Sequence, residues 1–317
     1  SCFDEEGEFQ PGRFGEAARR DVMPLWMLKY LPNMPACQVG ISVNSHGPNN
    51  TLVLGDVSGP AALAEAESCL ARGIADVMIV GATGTRVAAT RLTYRGDSPL
   101  PAPSDHRVED TSRPHDPDAP GVVGGEGAAS IVVETKQHAE ARGAEQLAYV
   151  LATASRFCPT PAMKNHERSS DRNPPQSREA SQAILASIDA VLSAAGVPAE
   201  SVGLVVSHAR GDIQADAGEA EALGRAGVRC PLVAVAAAIG YTGAASGMMG
   251  LAVGTLALSR STIPPTRHGE VNSSVSFCAE PEALESPLVL CLSYTTEGNA
   301  LAVLLGDQPE FPSGAAG

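Results

Sequence analysis

The sequence predicts an α/β protein of two pseudo-symmetric halves, built from layers of helix and sheet. Residues 50–73 (NTLVLGDVSGPAALAEAESCLARG) read as a short β-branched run, a tight turn at Gly55 and Asp56, and a helix. Residues 242–258 (TGAASGMMGLAVGTLAL) are apolar on every side and dense in Gly and Ala. That pattern fits a helix clamped between two sheets, and the stretch is a little short to span a bilayer. The later part of the chain also repeats the order of loop, small-residue helix and strands, which places a site where the halves meet.

With 317 residues the chain can bury a large core, and its 44% apolar content is ordinary for a globular α/β protein. A net charge of −14 excludes charge-driven binding to nucleic acid or an anionic membrane, because both need clustered Lys and Arg. Cys2, Cys37, Cys69, Cys158, Cys230, Cys278 and Cys291 are scattered singly, with no CxxC pair. They read as buried reduced thiols of a cytoplasmic protein. The acidic opening SCFDEEGEFQ carries no signal-peptide pattern.

In chain order, residues 1–20 read as an exposed segment. Pro24, Pro32 and Pro35 break residues 23–43 into a short helix and turns, with Trp26 and Tyr30 four apart on one packed core face. Residues 75–81 (ADVMIVG) predict a strand buried on both faces, and with the helix before them a right-handed parallel crossover from the 50–54 run. Residues 100–127 form a polar, proline-rich loop before a strand at 128–134. His106, His115, Asp105, Asp110, Asp116 and Asp118 gather there without metal-ligand spacing, so no metal is expected. Residues 157–178 read as a surface excursion, and 181–195 as a helix with Ile184, Ile188, Val191 and Leu192 on one stripe. A buried strand at 202–207 delivers His208 to the following loop, and strands at 287–292 and 300–305 close the chain around a turn at 297–299.

Six motifs stand in order: PNMPACQ at 32–38, HGPN at 46–49, RGIADVMIVG at 72–81, RPHDPDAPGVVGGEG at 113–127, His208/Asp216/Glu219 at the spacing of HGTxTxxxDxxE, and IPPT at 263–266. Over about residues 23–306 the chain thereby resembles the β-ketoacyl synthases, the condensing enzymes of fatty-acid and polyketide synthesis. The resemblance implies a thiolase-like, layered αβαβα fold with one half in residues 1–150 and the other in 151–317. It also implies that the family's first strands are missing before Ser1.

In that family a Cys at a helix N-terminus accepts the acyl group, because the free N–H groups there favour the thiolate. Two His residues promote decarboxylation and stabilise the enolate, and a Lys supports them. Matched residue by residue, the Cys becomes Asp56, the first His is kept as His208, and the second becomes Tyr241. The Lys falls near Ala236, and two threonines that hold the phosphopantetheine arm become Arg210 and Asp212. The glycine-rich FGFGGTN is reduced to residues 294–299, leaving Thr295 and Thr296 beside the substrate arm.

Asp56 is a poor acyl carrier, since its product would be a labile mixed anhydride. It is expected to stay ionised, to cap the helix for about 1 kcal/mol, and to accept a hydrogen bond from Tyr241. The resemblance therefore implies a pseudoenzyme similar to chain-length-factor subunits, as a homodimer or as a heterodimer with an active ketosynthase. Acyl carrier protein is a further partner, finding a local basic patch, and its phosphopantetheine is a substrate arm rather than a cofactor. Asp56, His208 and Tyr241 as an acid/base set on acyl thioesters, an acyl-binding scaffold, and a synthase using Cys37 or Cys69 are the alternatives.

Overall fold

The computed structural model describes residues 2–88, 111–159, 176–267 and 275–310. The chain divides into two compact units, Ser1–Thr51 and Leu52–Gly317. In the first, the segment expected to be exposed carries α1 (Pro11–Asp21), an exposed helix with Pro in its first turn and Arg19 and Arg20 in its last. Both placements suit the unpaired groups and dipole of a helix. A 3₁₀ turn (Trp26–Tyr30) and α2 (Met34–Ser42) follow. The Trp26 and Tyr30 rings meet edge-on at 5.6 Å. They are not core, being 46% and 66% exposed, because the short turn offers each ring little beyond the other.

The second unit opens with α3 (Ser58–Ala71), β1 (Val77–Thr85), β2 (Glu126–Glu134), α4 (Lys136–Ala141) and β3 (Tyr149–Phe157). It continues with α5 (Gln176–Ala195), β4 (Leu204–Ser207), α6 (Ile213–Ala226), β5 (Leu232–Ala234), α7 (Ala236–Ile239) and α8 (Ser246–Ser259). The short strands β6 (Thr262–Ile263) and β7 (Glu282–Ala283) precede the hairpin of β8 (Leu288–Tyr294) and β9 (Asn299–Gly306). One sheet has the order β3-β9-β8-β4-β5, with β4 parallel to β5 and β8 and the other pairs antiparallel. β3 runs across residue 150, where the two halves are expected to join.

Alternation along β8 and β9 explains their unbroken apolar runs, since both faces are covered. Leu290, Leu292, Ala302 and Leu304 join Ile184 and Ile188 of α5 in one core. Val289, Cys291, Val303 and Leu305 join Leu63 of α3 and Met248 and Leu251 of α8 in another. The layers are thus α5 with α6, the mixed sheet, α3 with α8, and the β1–β2 pair. Helix α8 packs on both β8 and β2, as its all-round apolar surface predicts. Its small residues permit that approach: a Cβ on Gly254 would stand 2.8 Å from Cys291 Sγ.

Two expectations about the first half fail. Residues 51–54 join no ladder among the described residues, and Val53 and Leu54 are 69% and 50% exposed. A strand needs a neighbour for its N–H and C=O groups, and β1 takes its described partner from the later β2, antiparallel, so the parallel crossover does not form. β1 is covered on one face only, with Val77 and Ile79 exposed on the other. The excursion expected at 157–178 lies largely outside the described residues, as do His106, Asp105 and Asp110. Among the described residues the cysteines are free, with Cys69, Cys278 and Cys291 buried and the others half-buried. No described helix is long and apolar enough to cross a membrane.

Candidate functional site

Gly55 takes a left-handed backbone (φ 64°) and starts a 3₁₀ turn, Gly55–Val57, that runs into α3. This corner turns the Asp56 side chain into the protein, where it is 5% exposed. Its backbone carbonyl accepts a hydrogen bond from Ser293 Oγ of β8 at 2.7 Å.

The carboxylate is met by three side chains from two segments. Tyr241 Oη donates to it, 2.5 Å from Oδ1 and 2.6 Å from Oδ2. His208 Nε2 lies 3.2 Å from Oδ2, in the loop after β4. An ionised carboxylate only accepts, so this nitrogen carries the proton. Arg210 Nη1 donates to the same oxygen at 3.4 Å. Three donors thus converge on the carboxylate, all of them on Oδ2, while the single Tyr241 proton is shared with Oδ1.

Arg210 is 1% exposed and its guanidinium lies over the Tyr241 and Tyr294 rings, 5.1 and 5.9 Å from their centroids. Arg86, just past β1, stacks on Tyr241 at 4.9 Å and donates to its hydroxyl at 3.1 Å. His208 packs edge-on against Tyr294 at 4.9 Å. The cluster is therefore an ionic core with aromatic walls.

Burial alone would raise the Asp56 carboxyl. The hydrogen bond and charge of His208, the charge of Arg210 and the Tyr241 hydroxyl overcome it and hold the group at about 2. Burial, and then the Asp56 charge, push the Tyr241 hydroxyl up, so it stays a neutral donor. Burial opposes the Arg210 charge, but Asp56, Tyr241, Tyr294 and Asp212 together outweigh burial and raise it. Because the Asp56 value is depressed, its stabilisation is complete above the ordinary 3.8 and is lost as pH falls towards 2. Acid unfolding followed by circular dichroism is expected to lose about 2 kcal/mol over that window, and Asp56→Asn to lack this step.

Asp56 does not cap α3. The N-cap position is Val57, with no side-chain cap bond, while Ser58 Oγ accepts from Leu54 N and donates to Gly55 O. The carboxylate turns instead to the Arg210 guanidinium, the His208 N–H and the Tyr241 hydroxyl of the interior.

The family model for the β-ketoacyl synthase N-terminal domain matches residues 7–139, and that for the C-terminal domain matches residues 162–270. The chain belongs to the β-ketoacyl synthase family. A 3-oxoacyl-[acyl-carrier-protein] synthase 2 of Mycobacterium bovis is 32% identical, over 77% of this chain and 57% of its own length. The chain thus spans little more than half of that relative. Two solved structures share the fold, each with a TM-score of 0.72. One is a type II polyketide acyl-carrier protein in complex with its ketosynthase bound to the hexaketide, at 18% identity over 86% of this chain and 66% of the other. The second is the ishigamide ketosynthase/chain length factor, at 20% identity over 88% and 66%.

Within this β-ketoacyl synthase chain, Asp56, His208 and Tyr241 are brought together, and the expected Tyr241–Asp56 hydrogen bond is present. Arg210 joins them. Asp212 is the N-cap of α6, accepting from Ala215 N at 3.3 Å, and lies 3.7 Å from Arg210 Nη2. Thr295 is buried and closes the β8–β9 turn by donating its N–H to Asn299 O, while Thr296 is exposed in that turn. Ala236 O accepts from Ser112 Oγ at 2.6 Å. Sequence reasoning missed Arg86 and Ser293, and did not place Arg210 beside Asp56. A buried acid at the corner was the available signal, because it requires a cation nearby.

Proposed function

We propose that this β-ketoacyl synthase homologue does not condense acyl groups and serves as the partner subunit of an active ketosynthase, in the manner of a chain-length factor. One solved relative by fold is named for a ketosynthase/chain length factor, and that kind of partner, with acyl carrier protein beside it, is the one proposed for this chain. The reading is carried by the Asp56 carboxylate, buried and engaged by donors from Tyr241, His208 and Arg210. An acyl-transfer nucleophile needs a free, deprotonated atom aimed at a thioester. Here the family's Cys is replaced by an anion held below the usual carboxylate range and enclosed by Arg210, His208 and Tyr241.

The convergence of Asp56, His208 and Tyr241 also invites an acid/base role on acyl thioesters. Such a role requires the carboxylate to take up a proton, and its depressed pKa and the three donors converging on it oppose that. Incubation with radiolabelled acyl-carrier protein is expected to leave the protein unlabelled, while co-expression with a Cys-containing homologue yields a one-to-one complex. Covalent acyl uptake would overturn the first half of the proposal, and absence of any complex the second.

A further inference from the structure

A second buried polar cluster adjoins the loop that carries His208 and Arg210, and the proposed function does not use it. Its centre is His115, 4% exposed, at a left-handed backbone position (φ 61°) in the segment after Ser112. His115 Nε2 lies 3.0 Å from Ser207 Oγ at the end of β4 and 4.0 Å from Glu219 Oε1 on α6. Among the described residues, neither its Nδ1 nor either oxygen of the Glu219 carboxylate meets a partner at full hydrogen-bond geometry, although both residues are enclosed. The Tyr294 hydroxyl, which shares this region, donates to Ala215 O at 3.4 Å and is pushed up by burial and then by the Glu219 carboxylate beside it.

The same residue ties two loops together. His115 N donates to Asp216 Oδ2 at 3.0 Å, and Asp216 also accepts from Arg210 N at 3.1 Å and Gly211 N at 2.8 Å. Ser207 Oγ, held by the His115 ring, accepts from Ala209 N at 3.1 Å. The loop presenting His208 and Arg210 to Asp56 is thus clasped twice, by the ring of His115 through Ser207 and by its backbone through Asp216.

We propose that His115 is an acid-triggered release: protonation of its imidazole frees the 113–116 segment from Ser207 and Asp216, and so unclasps the 207–211 loop from the Asp56 cluster. A neutral ring satisfies Ser207 with one nitrogen. An imidazolium would bury a full charge together with an N–H that has no acceptor.

The groups facing the ring decide the balance. Glu219 and Asp216, both on α6, favour the charged form, and the Phe277 ring at 5.9 Å offers no charge. The neighbouring Asp116 is already paired with Arg113, and Arg210 from the clasped loop is a like charge committed to Asp56. Burial outweighs Glu219 and Asp216 and holds His115 below the usual histidine range. Since the opened form takes the proton more readily, the closed form weakens as pH falls below the ordinary value of 6.5. A single linked proton changes the opening constant by at most about tenfold per pH unit. Asp216 has the opposite sign: burial raises its carboxyl against the pull of its amide donors, so acid favours its closed form. Asp56 titrates far below this window.

Hydrogen–deuterium exchange by mass spectrometry, corrected for intrinsic rates, would follow peptides covering 113–119 and 207–212 from pH 8 to 5. The expected result is loss of protection below about pH 6.5 in these peptides, with β8 and β9 unchanged. His115→Phe, which restores the aromatic residue of the family's RPFD motif, is expected to abolish the pH dependence. Glu219→Gln removes the charge that favours the imidazolium, so it extends the loss to lower pH and deepens it. Flat protection in the unaltered protein, or the same acid loss in His115→Phe, would overturn the proposal. If the Phe variant does not fold, an unchanged profile in Glu219→Gln does so. The outcome is independent of whether the chain condenses acyl groups.

Discussion

Arg210→Met is expected to destabilise the fold by about 3–5 kcal/mol, the cost of leaving a buried charge without its partner. Arg210 is fully enclosed, donates to Asp56 at 3.4 Å, lies 3.7 Å from Asp212, and covers two tyrosine rings. Met preserves most of the apolar stem, so the loss reports the guanidinium rather than packing. Asp56 is left with His208 and Tyr241, which cannot replace a permanent cation. Asp56→Asn in the same chain is expected to recover part of the loss, because the uncompensated anion is then gone. Urea denaturation of the four members of this cycle measures the coupling. A loss below about 1 kcal/mol in Arg210→Met would place the pair among ordinary surface bridges and contradict the ionic-core account.

That pair also marks where sequence reasoning stopped. The corner at Gly55, helix α3, the clamped helix α8 and the β8–β9 hairpin all follow from local pattern, because turn residues and apolar runs act over a few positions. The delivery of His208 by β4 follows from a buried strand that ends in a polar loop. Arg210 and Asp56 are 154 positions apart, and no local periodicity links them. The rule that would have joined them is charge balance: an acid turned inward from a buried corner needs a cation, and Arg210 stands two residues beyond the retained His. Helix capping failed as an expectation for the same reason. It treated Asp56 as a local group, whereas its partners come from distant loops. The absent strand at 51–54 is a tertiary matter too, since β-branched residues make a strand only where a neighbour exists to pair with them.

Gly125→Ala is the second large effect, expected at about 3 kcal/mol or more, because added volume at a backbone contact cannot be relieved by a side-chain rotation. A Cβ on Gly125 would lie 2.1 Å from the Ile239 carbonyl oxygen. The segment it belongs to holds Tyr241 from both sides: Tyr241 N donates to Val123 O at 2.8 Å, and Gly125 N donates to Tyr241 O at 2.9 Å. Pushing these backbones apart therefore acts on the site as well as on stability, since Tyr241 supplies the shortest hydrogen bond to Asp56. This contact gives the GGEG stretch a physical reason, because its glycine is where two chains touch without room for a methyl group. The control is Gly224→Ala on α6, where nothing stands within 4 Å of the new Cβ. That substitution is expected to stabilise by about 0.5–1 kcal/mol through helix propensity alone. Thermal melts of the two variants should move in opposite directions. If Gly125→Ala melted with the parent protein, the close approach that positions Tyr241 would be wrong, and with it the enclosure of Asp56.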